Sequence, residues 1–257
     1  MSTWTPFPHA GAYAFDAAQL KKNWSRLHRG DCEPWPEDSD VLHAWTLFHN
    51  GEFEKATEAG LKAGGDGITV ANKAACMYAN YLESSEKIRM ELFMETAVRA
   101  QAQQASVPGN ANAWYWQAYA LSHYSQAMSV SKALAQGLGN QVKLALEQTI
   151  ELAPRHADAY MTLGTFHAAL IDKMGPLIAA MTYGAKKDMG LALLKQALKL
   201  NPCSAIALAE YAQGMLMLEG EKCQEEASQL YEQATSCQPF DATERLNEEV
   251  VKVELQD

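Results

Sequence analysis

No stretch of the 257 residues reaches the ~20 consecutive apolar side chains that a membrane helix needs. The two least charged segments fall short of it. Residues 100–131 are rich in Gln, Asn and Ser and are broken by Pro108, and residues 174–185 are too few. Residues 1–18 place Pro6, Pro8 and His9 where an export signal has its apolar stretch, with no cationic start before them. The expectation is a cytoplasmic chain.

Cysteine is sparse as well. Cys32, Cys76, Cys203, Cys223 and Cys237 are scattered, and no Cys-x-x-Cys pair signals a zinc site or a redox dithiol. They read as reduced thiols filling helix interfaces. Among the seven histidines no pair has the His-x-x-x-His spacing that puts two ligands on one helix face, so neither metal nor cofactor is expected. Phosphate-binding loops are missing too: Gly137-Leu-Gly139 lacks a third glycine, and Gly64-Gly65-Asp66-Gly67 lacks the following Lys and Ser or Thr. Ser84-x-x-Lys87 and Ser129-x-x-Lys132 match a penicillin-recognising signature, but its companion motifs are absent. No local motif supports catalysis, and the expectation is a protein that is not an enzyme.

Basic residues are the minority, with Lys and Arg at 21 against 31 acids and a formal net charge of −10. A polyanion would bind against that field, which argues against nucleic acid. The first 30 residues run the other way, with Lys21, Lys22, Arg26 and Arg29 against Asp16. They also hold most of a set of large rings (Trp4, Phe7, Tyr13, Phe15, Trp24 and Trp35). This arm is expected to pack back on the acidic body.

Strand patterning is nearly absent. Apolar residues recur at three and four positions, and Ala, Leu, Met, Gln and Glu dominate. The prolines punctuate: Glu151-Leu-Ala-Pro154, Lys199-Leu-Asn-Pro202 and Ser236-Cys-Gln-Pro239 each close an amphipathic helix, and Pro108 precedes a fourth start. Within the unit opening at Ala157, Tyr160, Leu163, Gly164 and His167 stand where a tetratricopeptide repeat has its aromatic, Leu, Gly and Tyr. Gly51-Glu-Phe-Glu-Lys-Ala56 resembles the turn and second-helix start of that motif, and Ile68 to Gln104 is a degenerate pair.

Pro202 to Pro239 spans 37 residues, close to the ~34 of a plain repeat. Pro108 to Pro154 and Pro154 to Pro202 span 46 and 48, so two neighbouring units carry about 12 and 14 extra residues. These inserts, Ser125–Asn140 and Asp172–Asp188, are apolar and hold Met128, Leu134, Leu177 and Met181. Equivalent positions of consecutive repeats are neighbours in a solenoid, so the inserts are expected side by side.

The whole reads as an all-α, right-handed α-solenoid of about five helix pairs, one structural domain. An arm and helix cover 1–38, the repeats 39–240, and a capping helix 241–257 with Leu246, Val250 and Val253 apolar and Glu248, Glu249 and Glu254 exposed. It resembles the tetratricopeptide superfamily over roughly residues 40–240. Within it the chain is similar to the regulator-of-microtubule-dynamics family and to tetratricopeptide components of TRAP transporters. The stretch Tyr124 to Gly139, His156-Ala-Asp-Ala159 and Met181 to Lys187 also resemble a group of proteobacterial proteins of unassigned role.

First helices line the concave face of such arrays. The inward positions are Asn112, Tyr115, Tyr119 and Ser122, then Asp158, Met161, Thr165 and Ala168, then Gln213 and Leu216. Tyr115 and Tyr119 either face that groove or pack on the nearby insert. Two functions follow: a scaffold or adaptor gripping a protein partner through the concave face and inserts, with a homo-oligomer among the options, or a carrier of a small apolar ligand beneath the inserts.

Overall fold

The computed structural model describes residues 4–255, so the outermost residues of the expected arm and cap lie outside the described part. Among the described residues there are fourteen α-helices and one 3-10 turn, with no strand. They are gathered in two compact units. The first holds the residues up to 28, then 33–152 and 241–243, and the second holds 29–32, 153–240 and the residues from 244 on.

In the first unit, α1 (Ala17–Leu27) leads into three helix pairs. These are α2 (Ser39–His49) with α3 (Phe53–Ala63), α4 (Gly67–Tyr81) with α5 (Glu86–Ser106), and α6 (Ala111–Gln126) with α8 (Leu138–Leu152). The short α7 (Val130–Ala135) lies within the first insert. The second unit holds α9 (Ala157–Met174) paired with α11 (Lys187–Leu200), and α12 (Ala205–Glu219) paired with α13 (Gln224–Thr235). Its insert forms α10 (Pro176–Tyr183), and α14 (Ala242–Glu254) follows α13.

Helix starts follow local chemistry. Asp16 and Gln19 form a reciprocal capping box on α1: Gln19 N–H donates to Asp16 Oδ1 at 2.7 Å, and Asp16 N–H to Gln19 Oε1 at 3.1 Å. Ser85, Asn110, Ser129 and Ser204 cap α5, α6, α7 and α12 by accepting a backbone N–H. At α9 the cap is His156, whose Nδ1 accepts from Ala159 N–H at 3.1 Å.

Helix α1 ends at Leu27, with His28 as its C-cap. Gly30 offers its carbonyl to the Asp158 N–H at the start of α9, at 3.1 Å.

The arm packs on the first unit. Trp4 stacks on Tyr78 of α4 at 4.0 Å and 15°, and Phe7 is buried with its ring edge-on to Phe53 of α3. Phe15 N–H donates to Asn50 Oδ1 and Asn50 Nδ2 returns a hydrogen bond to Phe15 O. Leu20 and Trp24 of α1 are buried, and Trp24 meets Trp45 of α2 edge-on at 5.7 Å. Each ring removed from water this way stabilises the unit by about 1.5–3 kcal/mol.

In the second unit α9 and α11 cross closely. A Cβ on Gly164 would lie 2.6 Å from Leu194 Cγ and 3.0 Å from Gly190 O, so the motif glycine stands where no larger residue fits. Helix α14 closes on α12 and α13 through Val251, in one cluster with Leu208, Ala209 and Ala234. Its register departs from the expected one. Val251 is buried while Val253 faces solvent, and Glu248 is covered, held by Arg245 and Lys252 at 3.0 and 2.7 Å.

Candidate functional site

The most concentrated chemistry in the first unit is a buried polar chain that no sequence spacing announces. His49 Nδ1 lies 2.7 Å from Asp241 Oδ2, and His49 Nε2 lies 3.2 Å from His28 Nε2. Against an ionised carboxylate His49 donates from Nδ1, and a neutral His49 then accepts at Nε2 from His28 Nε2–H. All three side chains are buried. An Asp–His pair of this kind orients a base in hydrolases, but the next group here is a second, buried imidazole. Both nitrogens of His49 are engaged, which leaves it no lone pair for a metal.

Around this chain Glu33 accepts from Asn112 Nδ2, and Trp24 Nε1–H donates to the Glu33 carbonyl at 2.8 Å. The Lys73 ammonium sits over the faces of Trp45, Phe48 and Trp116 at 5.2–5.9 Å. Segment 33–35 and α1 therefore lie against the first helices α2 and α6 of their own unit. Asn112, one of the inward positions expected to meet a partner, holds the chain's own Glu33 instead.

Tyr115 is buried, packed on Trp116 at 4.9 Å and near Tyr119 at 6.1 Å. Tyr119 is half-buried and lies 4.4 Å from the His123 ring, whose other contact is a stack on Phe93 of α5 at 5.1 Å. Burial, helped by the Arg89 charge, pushes the His123 imidazole down to about 4 from 6.5. The unfolded chain then takes up a proton first as the pH falls. Stability is constant above about pH 6.5 and declines between 6.5 and 4, by at most about 3 kcal/mol from this group. Urea midpoints measured across that range should fall in the natural chain and fall less in His123→Phe. Parallel curves would contradict the assignment.

The second unit carries the remaining first-helix candidates. Met161 and Thr165 on α9 are half-buried, and Gln213 on α12 is exposed. Thr165 Oγ1–H donates to Glu210 Oε2 of α12 at 2.9 Å. Burial raises the Glu210 carboxyl, the Thr165 hydrogen bond opposes that, and Glu254 adds to it. Asp158 sits half-buried beside Gly30. Two of the thiols, Cys32 and Cys76, are poor nucleophiles. Burial, then Asp31 and Asp158, push Cys32 up to about 11, and burial pushes Cys76 up to about 12.

The inserts fall in different units, α7 in the first and α10 in the second. Met128 is half-buried just before α7, while Leu134 on α7 is 48% exposed. In α10 the sequence divides by face. Ala179 and Tyr183, four apart, turn inward, with Tyr183 edge-on to Phe166 of α9 at 6.0 Å. Pro176 starts the helix and Gly184, at φ 69°, stops it. His167 Nδ1 accepts from Lys186 N–H at 3.1 Å and pins the returning chain to α9. With both ends fixed, the outer face presents Leu177, Ile178 and Met181 at 72%, 56% and 81% exposure.

Among the described residues no group of three or more His, Cys, Asp or Glu is arranged to hold a metal, and no helix is long and apolar enough to cross a membrane. No family model matches the chain, and no curated protein matches it significantly. A solved structure does: the crystal structure of a thermophilic TPR protein from Thermus thermophilus, at 16% identity and a TM-score of 0.57, covering 85% of this chain and all of that one. At that identity the likeness establishes the fold alone: this is an all-α protein built of tetratricopeptide-type helix pairs.

Proposed function

We propose that the chain is a non-catalytic scaffold that binds a protein partner, and that α10 is its principal contact. The observation that carries this reading is the outward face of α10. Leu177, Ile178 and Met181 are mostly in water on a helix that both ends and Tyr183 hold rigidly. A large exposed apolar patch on a fixed element marks an interaction site. Met161, Thr165 and Gln213 on the first helices of the same unit supply further contacts, and in the first unit Met128 and Leu134 of the other insert are a separate candidate surface. The five free thiols fit a reducing, cytoplasmic setting.

The test replaces Met181 and Leu134 by Ser, separately, and measures melting and partner capture from lysate. Both residues are exposed, so melting should hold within about 0.5 kcal/mol. Met181→Ser should lose its partner. Retained capture with reduced stability would make these residues plain packing and remove the reading.

A further inference from the structure

Helix α5 is 21 residues long, against 11 for α3 and 12 for α13, the second helices of two other pairs. It buries Phe93, Thr96, Ala97, Ala100, Gln103 and Gln104. A second stripe runs beside that face: Met90 and Met94, half-buried, and Val98 and Ala102, exposed, recur every fourth residue, with Val98 59% exposed. They line an open groove of about 950 Å³, which Tyr124 of α6 flanks. From Glu86 to Ala102 the floor runs about 24 Å at 1.5 Å per residue.

The rim has a sign. Glu86, Glu91 and Glu95 line it, with Lys87 and Arg99 as the opposing charges. Arg99 turns inward: its Nε donates to Asn72 Oδ1 at 2.6 Å and its Nη2 to Thr96 Oγ1 at 3.2 Å. Lys87 lies 3.8 Å from Glu91 and neutralises one carboxylate at most. The lining carboxylates exceed the cations by one, three against two, and Glu86 is the one left over once Lys87 faces Glu91 and Arg99 interacts with Glu95.

We infer that this groove receives an amphipathic helix of a partner protein, about four turns long, apolar on one side and flanked by Lys or Arg. A helical wall has no unpaired backbone row, so an extended segment would leave its own N–H and C=O groups unmet, whereas a helix brings them satisfied. The apolar stripe at four-residue intervals matches ridges of such a helix, and the Met side chains adjust to its shape. The acidic rim selects basic flanks and repels acidic ones. This surface is separate from α10 and stands or falls apart from it.

The test uses the full chain and two labelled 18-residue peptides sharing one leucine stripe, one with Lys flanks and one with Glu flanks. Anisotropy titrations at physiological salt should show the Lys peptide binding at least about tenfold more tightly. Val98→Asp, at an exposed site, should weaken it about tenfold or more. The double variant Glu91→Lys with Glu95→Lys should invert the preference, and Met181→Ser should leave it intact. Circular dichroism confirms that each variant is folded. Binding indifferent to Val98→Asp, or a preference unmoved by charge reversal, would mean that only the overall charge attracts the peptide. A dimer of the natural chain that Val98→Asp converts to monomer would make a second copy the occupant. Either result overturns the inference.

Discussion

Replacing Trp24 by Ala should remove about 3–5 kcal/mol from the first unit, lowering its melting temperature by on the order of 10 °C. Few side chains join so many parts of that unit. The ring touches Trp35, Trp45, His28 and His49, and its N–H is the donor to the Glu33 carbonyl. Truncation leaves a cavity and a carbonyl without that donor, so transfer and hydrogen-bond losses add. Calorimetry on the variant checks it, with an apolar dye reporting exposed core. If Trp24→Ala melts like the natural chain, α1 is a loose attachment and the packing of the arm described above is wrong.

Replacing Gly164 by Leu should cost about 1–3 kcal/mol or more through overpacking. The new side chain would meet Leu194 on one side and the Gly190 carbonyl on the other. A side-chain terminus can turn away, but the α11 backbone cannot without opening the α9–α11 crossing. The loss should appear in the second unit: amide exchange across 157–200 should accelerate while that of α2 to α4 stays unchanged. Unchanged melting would show that the crossing is placed wrongly.

Much of this was legible in the sequence because the signals are local. Prolines and caps mark the helix ends, Gly164 marks a crossing, and the excess spacing between Pro108, Pro154 and Pro202 locates α7 and α10. What was illegible depends on contacts distant along the chain. His28 and His49 stand 21 residues apart, and Asp241 is 192 beyond His49. No spacing rule joins them. Helix α5 read only as part of a degenerate pair because a second apolar stripe runs beside its buried face, which blurs the single stripe that periodicity detects. In α14 the sequence reading put Val250 and Val253 on the apolar face, whereas packing on Leu208 and Ala234 selects the adjacent Val251.

Partner binding through α10 is tested most directly by amide hydrogen exchange on the chain alone and with its captured partner. Exchange across Pro176–Tyr183 should slow on binding, and Met181→Ser should abolish both capture and protection. Unchanged exchange in α10 with the partner bound and protection confined to other helices would contradict the proposed contact.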